Sequence, residues 1–358
     1  MASCFFIDKK RQGEHMVKQG IEAYLYLTQT RLALRREDAT SLKQAYYTSL
    51  GHAALLEAQL HQVLPLVQDV EHAVLKGVAL AYTLYPEPAA REMSDIDLLV
   101  PFETWNLLVE RFHTRGYRVV PSPATPPAFT RMFGGELKLA PPGQHLFPVE
   151  LHWPLARGEW VRLTTEIDFA AVWARRQQVE VAGFPVSILA FEDMLLYAAI
   201  HFAVNHRLGH FGVRALLDLH VLAQYPHLNW DQIVRDARAW RIQTVVWLVL
   251  GLTKHVFDSP VPQDVLTQLQ PGKARRSLLQ LLHPEHAVLS PADARPFRRF
   301  LLLYLLVDRP QDVVRFLRHT FWPDKHWAMA RYEAETWRGI WKARLKHFWD
   351  LATNAERL

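Results

Sequence analysis

The chain of 358 residues predicts an α+β fold, with a small sheet-bearing core set between a helical lead-in and a large all-helical region. Three observations carry that expectation. Between about Ala73 and Leu189 the apolar residues come in short runs bounded by Gly and Pro, the texture of strands. Before Leu66 and after Leu189 they recur at helical spacing instead. The length also exceeds what one hydrophobic core generally supports, so more than one packed unit is expected. The divisions fall at 1–66 for the lead-in, 67–190 for the core and 191–358 for the helical region.

In the lead-in, Ile21, Tyr24 and Leu25, then Leu55, Leu56, Leu60 and Leu64, stand at helical intervals from about Lys18 onward, and no proline intervenes before Pro65. In the core, strands are expected over 95–100, 117–120, 137–140, 149–153 and 179–189, the last broken at Gly183. Trp105, Leu107, Leu108 and Phe112 place a helix over 103–115, which gives a strand, helix, strand order. Beyond Leu189, helices are expected over 191–206, 213–224, 230–240, 242–257, 296–307 and 332–353. Stretches 121–127 and 259–262 read as loops, and neither a fixed-period repeat nor a low-complexity tract interrupts the pattern.

Apolar residues make up 50% of the chain and charged residues 22%, which excludes a disordered class. Cys4 is the only cysteine, so an intramolecular disulfide and a Cys-based zinc site are both excluded and a reducing compartment fits. The first residues lack a signal-peptide apolar region, and the greasy stretches 245–252 and 300–307 are far shorter than the roughly 20 residues a spanning helix needs. A cytoplasmic protein without a transmembrane segment is expected. The net charge of +5 and pI near 9.3 suit anionic partners such as nucleotides, polyphosphates or lipid head groups without choosing among them.

The chemistry concentrates in Arg91-Glu92-Met93-Ser94-Asp95-Ile96-Asp97-Leu98-Leu99-Val100. On a strand, residues two apart share a face, so Asp95 and Asp97 present two carboxylates side by side while Ile96 and Leu98 enter the core. Two like charges this close repel, a cost that makes sense if a cation sits between them. Magnesium, or manganese in its place, is the natural ion, since it takes carboxylate oxygens and bridges to substrate phosphates. The plainer reading is an Asp-x-Asp that caps a turn and faces water. Lys76-Gly77 opens a helix-like stretch after a short apolar run, where Gly permits close backbone approach and free N–H groups attract phosphate. Glu150 and His152 alternate with Val149 and Leu151, so both lie on one strand face; Glu150 becomes a third carboxylate at the metal if that strand pairs beside Asp95. Otherwise it is an exposed Glu on a half-solvated strand.

The order Lys76-Gly77, Tyr85-Pro86, Pro88, Arg91, Asp95-x-Asp97, Glu150-Leu151-His152-Trp153, and then a helix with His201 and His206, resembles the uncharacterised nucleotidyltransferase family of bacteria, a branch of the polymerase-beta-like nucleotidyltransferase superfamily. The resemblance runs from about Leu60 to Leu250. It implies a small mixed sheet with flanking helices, two metal ions held by Asp95, Asp97 and Glu150, and a nucleoside triphosphate over the Lys76–Gly77 turn. It departs from the wider superfamily in two places. Gly77 is followed by Val78 rather than Ser or Gly, and the segment between Gly77 and Asp95 is longer than in minimal members. Lys76, Ser94 and Arg91 stand as the remaining phosphate contacts, although an Arg near acidic residues is at least as often a structural ion pair.

The helical region adds His201, Asn205, His206, His210, Arg214 and Asp218. His201 and Asn205 are one turn apart and share a face, whereas His206 is rotated away, which makes a poor zinc site; polar residues holding an interface is the plainer reading. Arg214 and Asp218 are spaced for an intrahelical pair. In the resembled family this region packs over the cleft, so His201, Asn205, His206, Arg214 and Asp218, together with His152 on the Glu150 strand, are the candidate contacts to base or acceptor. Near the end, Trp337, Trp341, Leu345 and Phe348 form an apolar stripe beside a basic row of Arg338, Lys342 and Lys346. Such a helix usually docks its aromatic face on the core; the alternative is a weak contact with an anionic membrane surface or RNA.

The function expected is metal-dependent transfer of a nucleoside monophosphate from a nucleoside triphosphate to an unidentified hydroxyl, on a small molecule or biosynthetic precursor, with release of pyrophosphate. A toxin-like transferase acting on RNA or protein, and a non-catalytic nucleotide-binding scaffold, are the competing expectations.

Overall fold

The protein is described by a computed structural model over residues 20–28, 36–121, 125–209, 212–289 and 296–353; Cys4 and His210 lie outside these. Its centre is a mixed sheet of seven strands in the order β3-β4-β5-β2-β1-β7-β6. The strands are β1 (Ala73–Val74), β2 (Ile96–Leu99), β3 (Arg118–Val119), β4 (Glu136–Ala140), β5 (Val149–His152), β6 (Gln177–Val181) and β7 (Phe184–Ile188). β2 runs parallel to β5 and antiparallel to β1, and β1 runs parallel to β7. The expected fold class and mixed sheet are both present. The one strand not foreseen, β1, is two residues long, too short for any periodicity, yet it sits mid-sheet with both residues fully buried.

Alternation explains the sheet. Ile96, Leu98, Val149, Leu151, Leu137 and Leu139 lie between the polar positions and are all buried. The break expected at Gly183 is a tight hairpin between β6 and β7, with Ala182 at φ 49° and Gly183 at φ 78°. Positive φ at both central residues matches the right-handed twist of the flanking strands.

Helix Arg36–Val63 packs on the core through Leu42, Leu56, Leu60 and Val63. Its Gln59 is fully buried and fully used. The amide nitrogen donates to the Tyr117 hydroxyl at 2.9 Å and to the Phe147 carbonyl at 2.7 Å, and the amide oxygen accepts from the Phe147 N–H at 2.7 Å. The greasy stretch after Val245 belongs to the buried helix Gln243–Phe257, whose first N–H groups, Gln243 and Thr244, are capped by Asp308 at 2.7 and 3.0 Å. No helix among the described residues is long and apolar enough to cross a membrane.

Three helical expectations need correction. The helix expected over 191–206 is α-helical only over Phe191–Ile200 and widens into a π turn over His201–Asn205. The helix expected over 332–353 begins only at Trp337 and runs to Thr353; Tyr332 instead closes a separate helix, Lys325–Tyr332, which ends where Glu333 takes a left-handed φ of 53°. The aromatic stripe of helix Trp337–Thr353 does not dock on the core. Trp337, Trp341, Leu345 and Phe348 are exposed, while Ala343 and His347 face inward. His347 fits there because Nε2 lies 2.9 Å from the Thr320 carbonyl and Nδ1 lies 3.1 Å from the Tyr332 hydroxyl.

Candidate active site

Strand pairing assembles the site. Asp97 lies opposite Glu150 across β2 and β5, and Glu150 and His152 lie opposite Lys138 and Glu136 across β5 and β4. Because the period is two, these five polar residues share one face while their apolar neighbours fill the other. Helix Phe191–Ile200 and the following π turn roof that face, leaving a cleft of about 380 Å³.

Asp97, Glu150 and His152 each offer a ligand atom, and the three atoms lie within 4.8 Å of one another. The pairing expected to bring Glu150 to the aspartates is present. The close group, however, includes His152 and leaves Asp95 just beyond it, at the residue before β2, where it lines the cleft. Asp97 Oδ1 accepts from Lys76 Nζ at 2.8 Å and lies 2.7 Å from His152 Nε2. Burial opposes its charge, but Lys76 and His152 hold the carboxyl well below the usual range. Asp95 moves the other way: burial and repulsion from Asp97 and Glu150 push it up to about 6. A site that crowds carboxylates in this way and adds an imidazole has the donor chemistry of a divalent-cation site.

Lys76 begins helix Lys76–Thr83 with a left-handed φ of 47°, rare for a residue with a side chain. Burial disfavours its charge, yet Tyr197, Asp97 and Asp95 hold it protonated above the ordinary range. Gly77 is required by a neighbour other than phosphate. A Cβ there would stand 2.6 Å from Arg91 Nη1, so the absence of a side chain lets the guanidinium lie on the turn. Val78 is buried in the core and is not among the residues lining the cleft, so its missing hydroxyl removes nothing from that wall. Ser94 is exposed where it lines the cleft.

Arg91 is the structural ion pair. Its Nε and Nη2 donate to Asp218 at 3.1 and 2.8 Å, and the Tyr85 hydroxyl donates to the same carboxylate at 2.7 Å. Asp218 thus uses its oxygens across the cleft, and Arg214 reaches the Glu92 carbonyl at 3.3 Å, so both residues tie helix Gly212–Ala223 to the core while Asp218 also attracts the Arg214 charge one turn away.

The π turn corrects the histidine geometry. In an α-helix His206 would be rotated away from His201, but widening the turn to five residues brings the His206 N–H to the His201 carbonyl at 3.0 Å and their ring centroids to 4.4 Å. His201 and His206 therefore line the cleft together. Burial and the Lys76 charge push His201 well below its ordinary pKa. Asn205 turns out instead and donates to the Arg157 carbonyl at 3.0 Å, in the wall of a second cavity of about 310 Å³. Arg157 lines both cavities and pairs with Glu136.

Sequence reading missed Glu136, Lys138, Arg157 and Tyr197. Glu136 and Lys138 carry the same alternation with Leu137 and Leu139 that exposed Glu150, and Tyr197 stands four residues before His201 on one helix face. Arg157 lies in a loop and has no such signal.

The profile of the family described as "Uncharacterised nucleotidyltransferase" matches residues 15–258, which hold the whole sheet and every residue of this cleft. The chain belongs to that family and is a nucleotidyltransferase. No curated protein matches the sequence significantly.

Proposed function

We propose that the cleft moves a nucleoside monophosphate from a nucleoside triphosphate to a hydroxyl of a small molecule or biosynthetic precursor. One observation carries this reading: ligand atoms of Asp97, Glu150 and His152 within 4.8 Å, in a cleft also lined by Lys76, Lys138 and Arg157. Asp97, Glu150 and His152 would hold a magnesium or manganese ion, and Asp95 with Asp97 a second. Such ions neutralise the triphosphate and acidify the acceptor hydroxyl.

The chain's own groups do the rest. Lys76, 2.8 Å from Asp97, holds the phosphates close to the carboxylates from the Lys76–Gly77 turn, with Ser94 beside them. Arg91, fixed by Asp218, holds the shape of that wall against the Lys76–Gly77 turn. The acceptor oxygen bonds to the α-phosphorus as the bond to the bridging oxygen breaks. Asp95 takes the acceptor's proton, and pyrophosphate leaves toward Lys138 and Arg157. His201, neutral in this setting, serves with His206 as an uncharged hydrogen-bonding wall for base or acceptor.

A second reading, transfer to RNA, draws on Arg157, Arg207 and Arg331 in the second cavity, which shares Arg157 with the cleft. The deciding assay incubates each of the four α-labelled nucleoside triphosphates, with magnesium, against small-molecule extract and against RNA. Pyrophosphate release with label in the small-molecule fraction, lost in Glu150→Gln, is expected. No release with any triphosphate and either acceptor pool would count against both readings.

A further inference from the structure

The final helix, Trp337–Thr353, turns its large apolar residues away from the protein. Trp337, Trp341, Leu345 and Phe348 are 67%, 49%, 66% and 58% exposed. At 3.6 residues per turn they occupy an arc of about 80°. Arg338, Lys342 and Lys346 continue from one edge of that arc and Arg344 flanks the other. The helix carries these four cations and one acid, Asp350, which accepts from the Tyr332 hydroxyl at 3.1 Å.

The surface extends beyond one helix. Phe321 and Trp322, at the end of helix Pro310–Phe321, are 47% and 41% exposed. The Trp322 and Trp341 rings meet at 5.2 Å, and Arg344 lies over Trp322 at 4.8 Å. The opposite side of the final helix is already seated through Ala343 and His347, so the aromatic arc has no place left in the core.

We infer that this face docks the protein peripherally on an anionic lipid surface. An exposed arc of Trp337, Phe348 and Trp341 that ends in Leu345, with a basic edge beside it, matches a helix lying in the plane of a membrane interface, with the rings at head-group level and the cations on lipid phosphates. An antiparallel two-fold pairing of two copies through this face would set the two basic rows side by side and repel. RNA would find rings to stack on but no use for Leu345 or for a water-excluding arc.

The test is sedimentation of the full chain with vesicles of phosphatidylcholine alone and of phosphatidylcholine mixed with phosphatidylglycerol. Binding to the mixed vesicles and weak binding to the neutral ones is expected. Lys342→Gln with Lys346→Gln should lower the partition coefficient about 30-fold at an unchanged melting temperature, and Trp341→Ser with Leu345→Ser should abolish pelleting while the chain stays folded, its melting temperature lowered only by the lost Trp322–Trp341 ring contact. Failure to pellet with anionic vesicles, or pelleting that neither pair reduces, overturns the inference. Self-association or RNA binding that Trp341→Ser with Leu345→Ser abolishes, with no vesicle binding by the parent chain, overturns it in favour of those partners.

Discussion

Replacing Asp218 by Ala removes the acceptor for three buried donors at once. Arg91 loses bonds of 3.1 and 2.8 Å and the Tyr85 hydroxyl loses one of 2.7 Å, in a pair whose side chains are each 10% exposed. Summing charge-assisted bonds would overstate the loss, because Arg91 keeps its 2.8 Å bond to the Glu92 carbonyl and stands beside an open cleft. Against that, Arg214, whose charge burial and Arg91 already disfavour, loses the attraction of Asp218. Breaking a buried pair from one side costs about 3–5 kcal/mol, and the cleft's water puts this one near about 3 kcal/mol. Urea unfolding of the parent, Asp218→Ala, Arg91→Met and the double Arg91→Met with Asp218→Leu measures it. The single variants should be markedly less stable and the double should recover part of the loss, because no charge is left unpaired. A loss under about 1 kcal/mol in Asp218→Ala would refute the view that this pair fastens the helical region to the core.

Gln59→Leu strands the Phe147 N–H and carbonyl in the core, so a loss of about 2–4 kcal/mol in the same unfolding assay is expected; a neutral result would mean the 147 loop finds other partners. Acid should also weaken the fold. Burial depresses the pKa of His220, His201 and His347, so the unfolded chain binds more protons below pH 6.5. Their contribution is complete above the unfolded value and is lost as pH falls through it, by up to about 1.4 kcal/mol per pH unit for each histidine. His220 is held neutral by geometry too, with Gln224 donating to Nε2 at 3.0 Å and Nδ1 donating to the Ser259 hydroxyl at 2.7 Å. His220→Gln should flatten the fall of melting temperature between pH 8 and 5; an unchanged slope would show that His220 is not one of the groups taking up protons.

Much of the fold was legible because periodicity is a local property. The alternation around Asp97 and Glu150 placed both carboxylates on one sheet face, and the parallel register of β2 and β5 then made them neighbours. What escaped depends on partners distant in sequence or on departures from regular geometry. Asp308 caps a helix that begins at Gln243, and nothing near either residue announces the other. The π turn inserts one residue into a helical repeat, so spacing counted at 3.6 put His206 on the wrong side. The final helix was misjudged for another reason. Its aromatic stripe is the stronger apolar face, but Ala343 is small enough and His347 well enough bonded to be the docked one.

The central claim is that Asp97 and its neighbours gather a metal-bound nucleotide. Calorimetric titration of each nucleoside triphosphate into the full chain, with and without magnesium, tests it most directly beside Asp97→Ala. Magnesium-dependent binding of at least one triphosphate, absent in well-folded Asp97→Ala, is the predicted result; binding that ignores both magnesium and the substitution, or no binding at all, would contradict it.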